Sequence, residues 1–210
     1  MTINDIIGRA NTQLMDSLWL RWSKSELLDY FNDAINAVII IRPDAGSVIE
    51  VFDCVPGTRQ QLPTEAIRLL DIIRVSGGRA VKPIARDVLD SSYPDWHTMT
   101  GAVECYVYDA QTPQWFWCFP GAQAGTQLEI NVARLPPAAV IADLSSGNER
   151  AFPLNELYIN PVLEWILFRA FSKDAENGNN ATLASQHYQT FVDLLGVKTQ
   201  TDTAADQKKQ

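Results

Sequence analysis

WSKSELLDYFNDAINAVI, residues 22–39, decides how the chain begins to fold. Ser23 and Glu26 stand at the S-x-x-E spacing of a capping box, and Trp22, just before the cap, is placed to staple against Leu27. A helix therefore starts near Lys24. Leu27, Leu28, Phe31, Ala34, Ile35, Val38 and Ile39 recur at helical spacing and give it one broad face for burial, while Pro43 stands where the helix must already have ended. Upstream, Ile3, Ile6, Ile7, Ala10 and Leu14 follow the same period behind a Thr2 cap, which predicts a first helix from Thr2 to about Asp16.

Past Pro43 the texture changes. Val48 to Phe52, Leu69 to Val75, Arg79 to Lys82, Val103 to Tyr108, Trp115 to Phe119 and Gln127 to Arg134 are short runs rich in β-branched and aromatic residues. Gly77-Gly78 supplies a hairpin turn between two of them. Arg86 to Ser92 reads as a short helix before the Tyr93-Pro94-Asp95-Trp96 turn. These signals predict a mostly antiparallel meander from Ser47 to about Leu135, followed by a Pro- and Gly-rich connection to Asn148.

Helical density then returns. Asn155 to Glu176 is apolar around most of its circumference, as a central or sandwiched helix requires. Pro161 either starts this helix or kinks it. A last helix is expected from about Asn180 to Leu195, with Ala181, Ala184, Tyr188, Phe191 and Leu195 in line and Gly196 at its end. KTQTDTAADQKKQ, residues 198–210, has almost nothing to bury and reads as a flexible tail.

Composition bounds the function. The 210 residues, 46% hydrophobic, suffice for one sizeable core, and a formal charge of −8 without blocks of like sign opposes tight binding to a phosphate backbone. Cys54, Cys105 and Cys118 are odd in number and set among apolar neighbours, so they read as buried thiols in a reducing compartment. The N-terminal MTINDIIGRANTQ lacks a basic run followed by an apolar core, and the longest apolar stretch, Val162 to Phe171, is interrupted by Glu164 and Arg169. Neither a secretion signal nor a membrane span is expected.

Chemical signatures are sparse. The 2 histidines, His97 and His187, lie far apart without a metal-ligand motif, and they read as surface or rim side chains. Nucleophile elbows, S-x-x-K, and phosphate- or dinucleotide-binding glycine patterns are absent from the sequence. Asp87, Asp90, Asp95, Glu104 and Asp109 read as turn formers or a solvated face, so no catalytic residue, cofactor or metal is assigned. Trp115-Phe116-Trp117 stands apart, because strand alternation puts both tryptophans on one face and Phe116 and Cys118 on the other. That face suits a core or a subunit interface, or a platform on which sugars stack. Asn180-Ala181-Thr182 resembles a glycosylation sequon but reads as the capped start of the last helix.

Several separated segments resemble, in order, a phage head-to-tail adaptor. They are Trp22 to Ala34, Leu62-Pro63 leading into Leu69 to Val75, Pro94-Asp95-Trp96, Phe119-Pro120, Leu135-Pro136, Leu154 to Glu176 with its Phe168 to Glu176 run, and Tyr188 to Gly196. Pro161 and the Trp115-Phe116-Trp117 cluster depart from the pattern. The resemblance implies a structural virion protein without enzymatic activity, placed at the head-tail interface and assembled in the host cytoplasm. It would form a ring, commonly of about twelve copies, seated under the portal protein and joined to the next tail component, a nozzle or tail tube. Genomic DNA would pass through the channel without specific binding.

The expected fold is α+β, a four-helix side-by-side bundle with an antiparallel β-meander inserted between helices two and three. Residues 1–197 would form a single adaptor domain, helical over 1–43 and 154–196 and β-rich over 47–135, with residues 198–210 as its tail. Sheet edges are expected to pair across subunits. Candidate interface residues are Trp115 and Trp117, together with Val197, Lys198 and Thr199, where the tail begins and where an arm would order on the portal. The alternative reading is a carbohydrate-binding or hydrolytic virion protein using the Trp115/Trp117 face, and a third is another collar or baseplate subunit.

Overall fold

Thr2 caps the first helix, as its position predicts. In the structure, a computed structural model that describes residues 1–173 and 178–207, the last eleven of these by backbone alone, helix α1 runs Ile3–Gln13. The Asp5 amide donates to Thr2 Oγ1 at 3.1 Å and the Thr2 amide donates to Asp5 Oδ2 at 2.8 Å, a complete capping box. Helix α2 runs Lys24–Ile41, its first turn closed by the Glu26 amide donating to Ser23 Oγ at 3.2 Å. Trp22 is buried, with its indole N–H donating to the Ala170 carbonyl at 3.2 Å and its ring edge-on to Phe171.

The chain divides into two compact units, one formed by Met1–Ala45 with Pro136 onward and the other by Gly46–Leu135. In the first, helix α4, Ile159–Ser172, packs against α1, α2 and the last helix, α5, Gly178–Gln207. Its apolar circumference is satisfied in this way: Val162, Leu163, Ile166, Leu167 and Ala170 are buried among elements that also bury Ile6, Phe31, Val38 and Phe191. Each such large side chain contributes about 1.5–3 kcal/mol of transfer free energy. Pro161 is the third residue of α4, where its missing N–H has no intrahelical acceptor to lose, so it starts the helix and does not kink it.

The second unit holds strands β1 (Ser47–Asp53), β2 (Gly57–Gln61), β3 (Ala66–Val75), β4 (Lys82–Pro83), β5 (Cys105–Tyr108), β6 (Trp115–Ala122) and β7 (Gln127–Arg134), and helix α3 (Arg86–Ser92). They form two sheets, ordered β1-β7-β3 and β2-β6-β5-β4. Leu69, Ile72, Leu128, Ile130 and Val132 from one sheet share a core with Tyr106, Phe116 and Cys118 from the other.

The expected four-helix bundle with one meander is therefore incorrect. Five α-helices and two sheets are present among the described residues, and one of the helices, α3, lies in the sheet unit. A meander pairs neighbours in sequence, whereas here β1 and β2 separate into different sheets at Cys54-Val55-Pro56. The reason is visible in the side chains: β1 is apolar and matches β7, while β2, Gly-Thr-Arg-Gln-Gln, is polar and pairs with β6. The Arg79 to Lys82 run contributes only the two-residue β4, parallel to β5, and a single bridge from Ala80 to Arg74 across the Gly77-Gly78 turn. The expected end at Gly196 is also absent. Gly196 does not adopt the left-handed backbone of a helix-ending glycine, and the helix continues to Gln207. Likewise α5 begins at Gly178, so Asn180 lies inside it and is not its cap.

Candidate assembly surfaces

Strand β6 carries the aromatic cluster. Alternation holds: Phe116 and Cys118 are fully buried in the core, while Trp115 and Trp117 stand half-buried on the opposite face. Each indole is covered on one side by a guanidinium, Arg59 lying 4.9 Å from the Trp115 centroid and Arg86 lying 5.1 Å from that of Trp117. Trp117 also packs, with Ile84 and Phe119, against the small cluster of Leu89, Trp96 and Val107.

A second surface is the edge strand β1. It pairs with β7 on one side only, and its Val48, Ile49 and Val51 are exposed. An open apolar edge of this kind is a template for another strand. The turn that leads out of β1 is fixed by Gln60, whose side chain is fully buried: Nε2 donates to the carbonyls of Val55 (2.8 Å) and Gly57 (3.0 Å), and Oε1 accepts from the Val55 amide (2.9 Å).

The third surface is the loop between α1 and α2. Met15, Leu18 and Leu20 are 92%, 74% and 83% exposed, far more than large apolar side chains usually are. The loop is nonetheless ordered. The Asp16 carboxylate accepts the amides of Leu20 (2.9 Å), Arg21 (2.8 Å) and Trp22 (2.9 Å), and the bond from Trp22 is the main cause holding its pKa below the usual carboxylate range. Met15 and Trp19 take positive φ of 54° and 57°, a conformation uncommon for residues other than glycine.

A family model described as SU10 adaptor protein matches residues 1–209. The chain belongs to the SU10 adaptor family. This agrees with the resemblance to a phage head-to-tail adaptor and makes the chain a phage structural adaptor and a virion component. A search of curated proteins returns no significant match.

In this adaptor the remaining candidates are dispersed, and most have a local partner. Asp90 accepts the Trp96 indole N–H at 2.8 Å, Glu104 pairs with Arg79, and Asp87 and Asp109 accept backbone amides close in sequence. His97 stacks on Trp96 with centroids 3.7 Å apart, and His187 Nδ1 lies 2.7 Å from Glu164 Oε2. Cys54 and Cys118 are buried as expected, but Cys105, at the edge of its strand, is only half-buried. The Cys118 thiol is pushed up by its hydrogen bond with Cys54 and by burial. Val197, Lys198 and Thr199 continue the α5 backbone, and their side chains lie outside the described residues. They belong to the helical unit, and Trp115 and Trp117 to the sheet unit.

Sequence reasoning passed over Asp16, Leu18 and Leu20. The signal was present: large apolar residues alternate with Asp, Ser and Arg in a short interhelical connection, which a solvated loop does not need. None of the described helices is long and apolar enough to cross a membrane.

Proposed function

We propose that this adaptor assembles as a ring of about twelve copies beneath the portal protein and joins it to the next tail component, a nozzle or tail tube, while genomic DNA passes through the channel. The family match over residues 1–209 carries this reading. Physical features support it. An acidic subunit, −8 by formal charge, suits a channel wall that must not grip a polyanion.

Trp115 and Trp117, braced by Arg59 and Arg86, offer the Trp and Arg composition that dominates interface energetics, and we assign them to a subunit or partner contact. The same guanidiniums cover one side of each indole, which weighs against the sugar-stacking alternative. Val197, Lys198 and Thr199 lie in the C-terminal part of α5, which we assign to contact with the portal. The open edge of β1 remains available to pair with a strand from a neighbour. Assembly takes place in the host cytoplasm.

The test is mass determination of the purified chain alone and after mixing with the portal ring of the same phage. A stoichiometric ring complex is expected. Monomeric behaviour of the free chain is compatible, because a portal can template the ring. Failure to form a complex with a portal that binds a known adaptor would refute the reading.

A further inference from the structure

Two of the three cysteines meet in the core of the sheet unit. Cys54 extends β1 by one position: its amide donates to the Thr126 carbonyl at 2.9 Å, next after the Asp53–Gln127 pair. Cys118 stands on the inner face of β6, in the other sheet. Both belong to the cluster that the two sheets share, and the Cys118 thiol donates to the Cys54 sulfur. Two residues back along each strand stand Phe52 and Phe116, whose rings meet edge-on with centroids 5.5 Å apart. Residues two apart share one face of a strand, so the aromatic pair and the thiol pair are consecutive rungs between the sheets.

The backbone holds these rungs in place. Val55, directly after Cys54, is bonded through its amide and its carbonyl to the Gln60 side chain, and Gln60 stands opposite Phe116 in the β2–β6 ladder. The segment carrying Cys54 is thus tied to the strand carrying Cys118. Disulfide geometry is narrow, and a pair closes without strain only where the backbone already holds the two residues together. Immunoglobulin sandwiches carry an inter-sheet bridge of this kind through their core. Cys105 stands apart, outside this core and on the opposite face of β5 from Tyr106.

The two thiols differ in access and in acidity. Cys54 is 8% exposed and lies between the exposed Asp53 and Val55, whereas Cys118 is fully buried. The hydrogen bond from Cys118 is the main cause holding the Cys54 thiol below its usual range, while the same bond and then burial push Cys118 up. Cys54 is therefore the thiol that a small oxidant reaches and the one that ionises first.

We propose that Cys54 and Cys118 form a dithiol site that closes to an intrachain disulfide, stapling the two sheets together, when the virion meets oxidising surroundings outside the host. The oxidant is a low-molecular-weight disulfide. The Cys54 thiolate attacks one of its sulfurs and expels the other half as a thiolate, leaving a mixed disulfide on Cys54. Cys118 then gives its proton to water, and its sulfur attacks Cys54 Sγ and expels the second half. The chain loses two electrons and two protons, and the oxidant leaves as two small thiols. None of this depends on the ring reading; it needs only a chain that is a virion component.

The experiment treats the full-length chain, as wild type and as Cys105→Ser, with oxidised glutathione and, separately, with diamide. The Cys105→Ser chain should become lighter by two hydrogens, and non-reduced digests of both should join the Cys54 peptide to the Cys118 peptide, reversibly with dithiothreitol. The linked chain should melt roughly 5 °C or more above the reduced one. With oxidised glutathione, Cys118→Ala should stop at an adduct on Cys54. Thiols that stay free in the native chain under both oxidants and link only in urea would overturn the inference, as would linkage through Cys105 or an unchanged Tm. In purified virions dissolved in denaturant with iodoacetamide, Cys54 and Cys118 should be recovered joined; recovery of both as alkylated thiols would overturn the closure proposed for the released particle.

Discussion

Replacing Gln60 tests whether the turn between the two sheets rests on one buried amide. The side chain makes three hydrogen bonds to the Val55 and Gly57 backbone and is fully buried. At about 1 kcal/mol net for each bond, Gln60→Ala should cost about 3 kcal/mol, or about 2 where the exposed Val55 backbone regains water. Gln60→Glu discriminates further. It keeps the acceptor for the Val55 amide but turns a carboxylate toward two carbonyl oxygens, so its folded-state pKa must rise above that of an unfolded glutamate, roughly 4.3. The destabilisation is then greatest at neutral pH and is relieved as pH falls through the folded pKa, where the protonated acid can donate to one carbonyl. Hydrogen exchange over residues 50–62, followed by mass spectrometry, reads this locally. Protection lost in Gln60→Ala, and lost more at pH 7 than at pH 4 in Gln60→Glu, is the expected result. An Ala variant within about 0.5 kcal/mol of wild type would refute the reasoning.

Gly121→Ala should destabilise the sheet unit by about 1–3 kcal/mol, since an added Cβ would lie 3.0 Å from both the Gly57 carbonyl carbon and the Met99 carbonyl oxygen, neither of which can swing away. Urea unfolding measures it, and an unchanged midpoint would count against the packing described. The Tyr30 phenol is pushed up to about 12, by burial first and then by its hydrogen bond to Glu26. Its stabilisation should be complete below roughly pH 10, where an unfolded tyrosine ionises, and lost as pH rises through the folded value; comparing ultraviolet difference titrations of wild type and Tyr30→Phe isolates the group. Trp22→Ala should cost about 3–5 kcal/mol, and Trp22→Phe, which loses the bond to the Ala170 carbonyl but retains an aromatic ring near Phe171, less than half of that. Chemical denaturation of both variants gives the ratio.

What the sequence made legible was whatever a few adjacent residues specify. Thr2 with Asp5, Ser23 with Glu26, the Arg86–Ser92 helix and the Gln127–Arg134 strand all carry their signals within a turn or a strand, and each stands where those signals place it. Strand pairing has no such local signal. Ser47 bonds Asn131 across 84 residues, and the match between apolar β1 and β7 shows only once the two distant strands are compared. Strand β2 went unpredicted because Thr-Arg-Gln-Gln lacks β-branched and aromatic density; it is recruited by its pairing with β6 and by Gln60 turning inward. At Gly196 the local rule was overridden, since a glycine ends a helix only when its backbone goes left-handed, and otherwise costs about 1 kcal/mol in place.

The candidate surfaces divide along the same line. Alternation alone set Trp115 and Trp117 on one face of β6, but their covering by Arg59 and Arg86 depends on β2 and α3, which pairing and packing bring there. The Met15–Arg21 loop shows the converse. Its residues are adjacent in sequence, yet their meaning lies in a carboxylate that accepts three backbone amides. An Asp in a solvated loop has water for that purpose. One that instead locks three large apolar side chains outward, through two positive-φ residues, stabilises a conformation whose exposed surface is unfavourable in the isolated chain. That cost is offset when the surface is covered, which is why the loop, alongside the Trp115/Trp117 face, is where association of this adaptor should be sought.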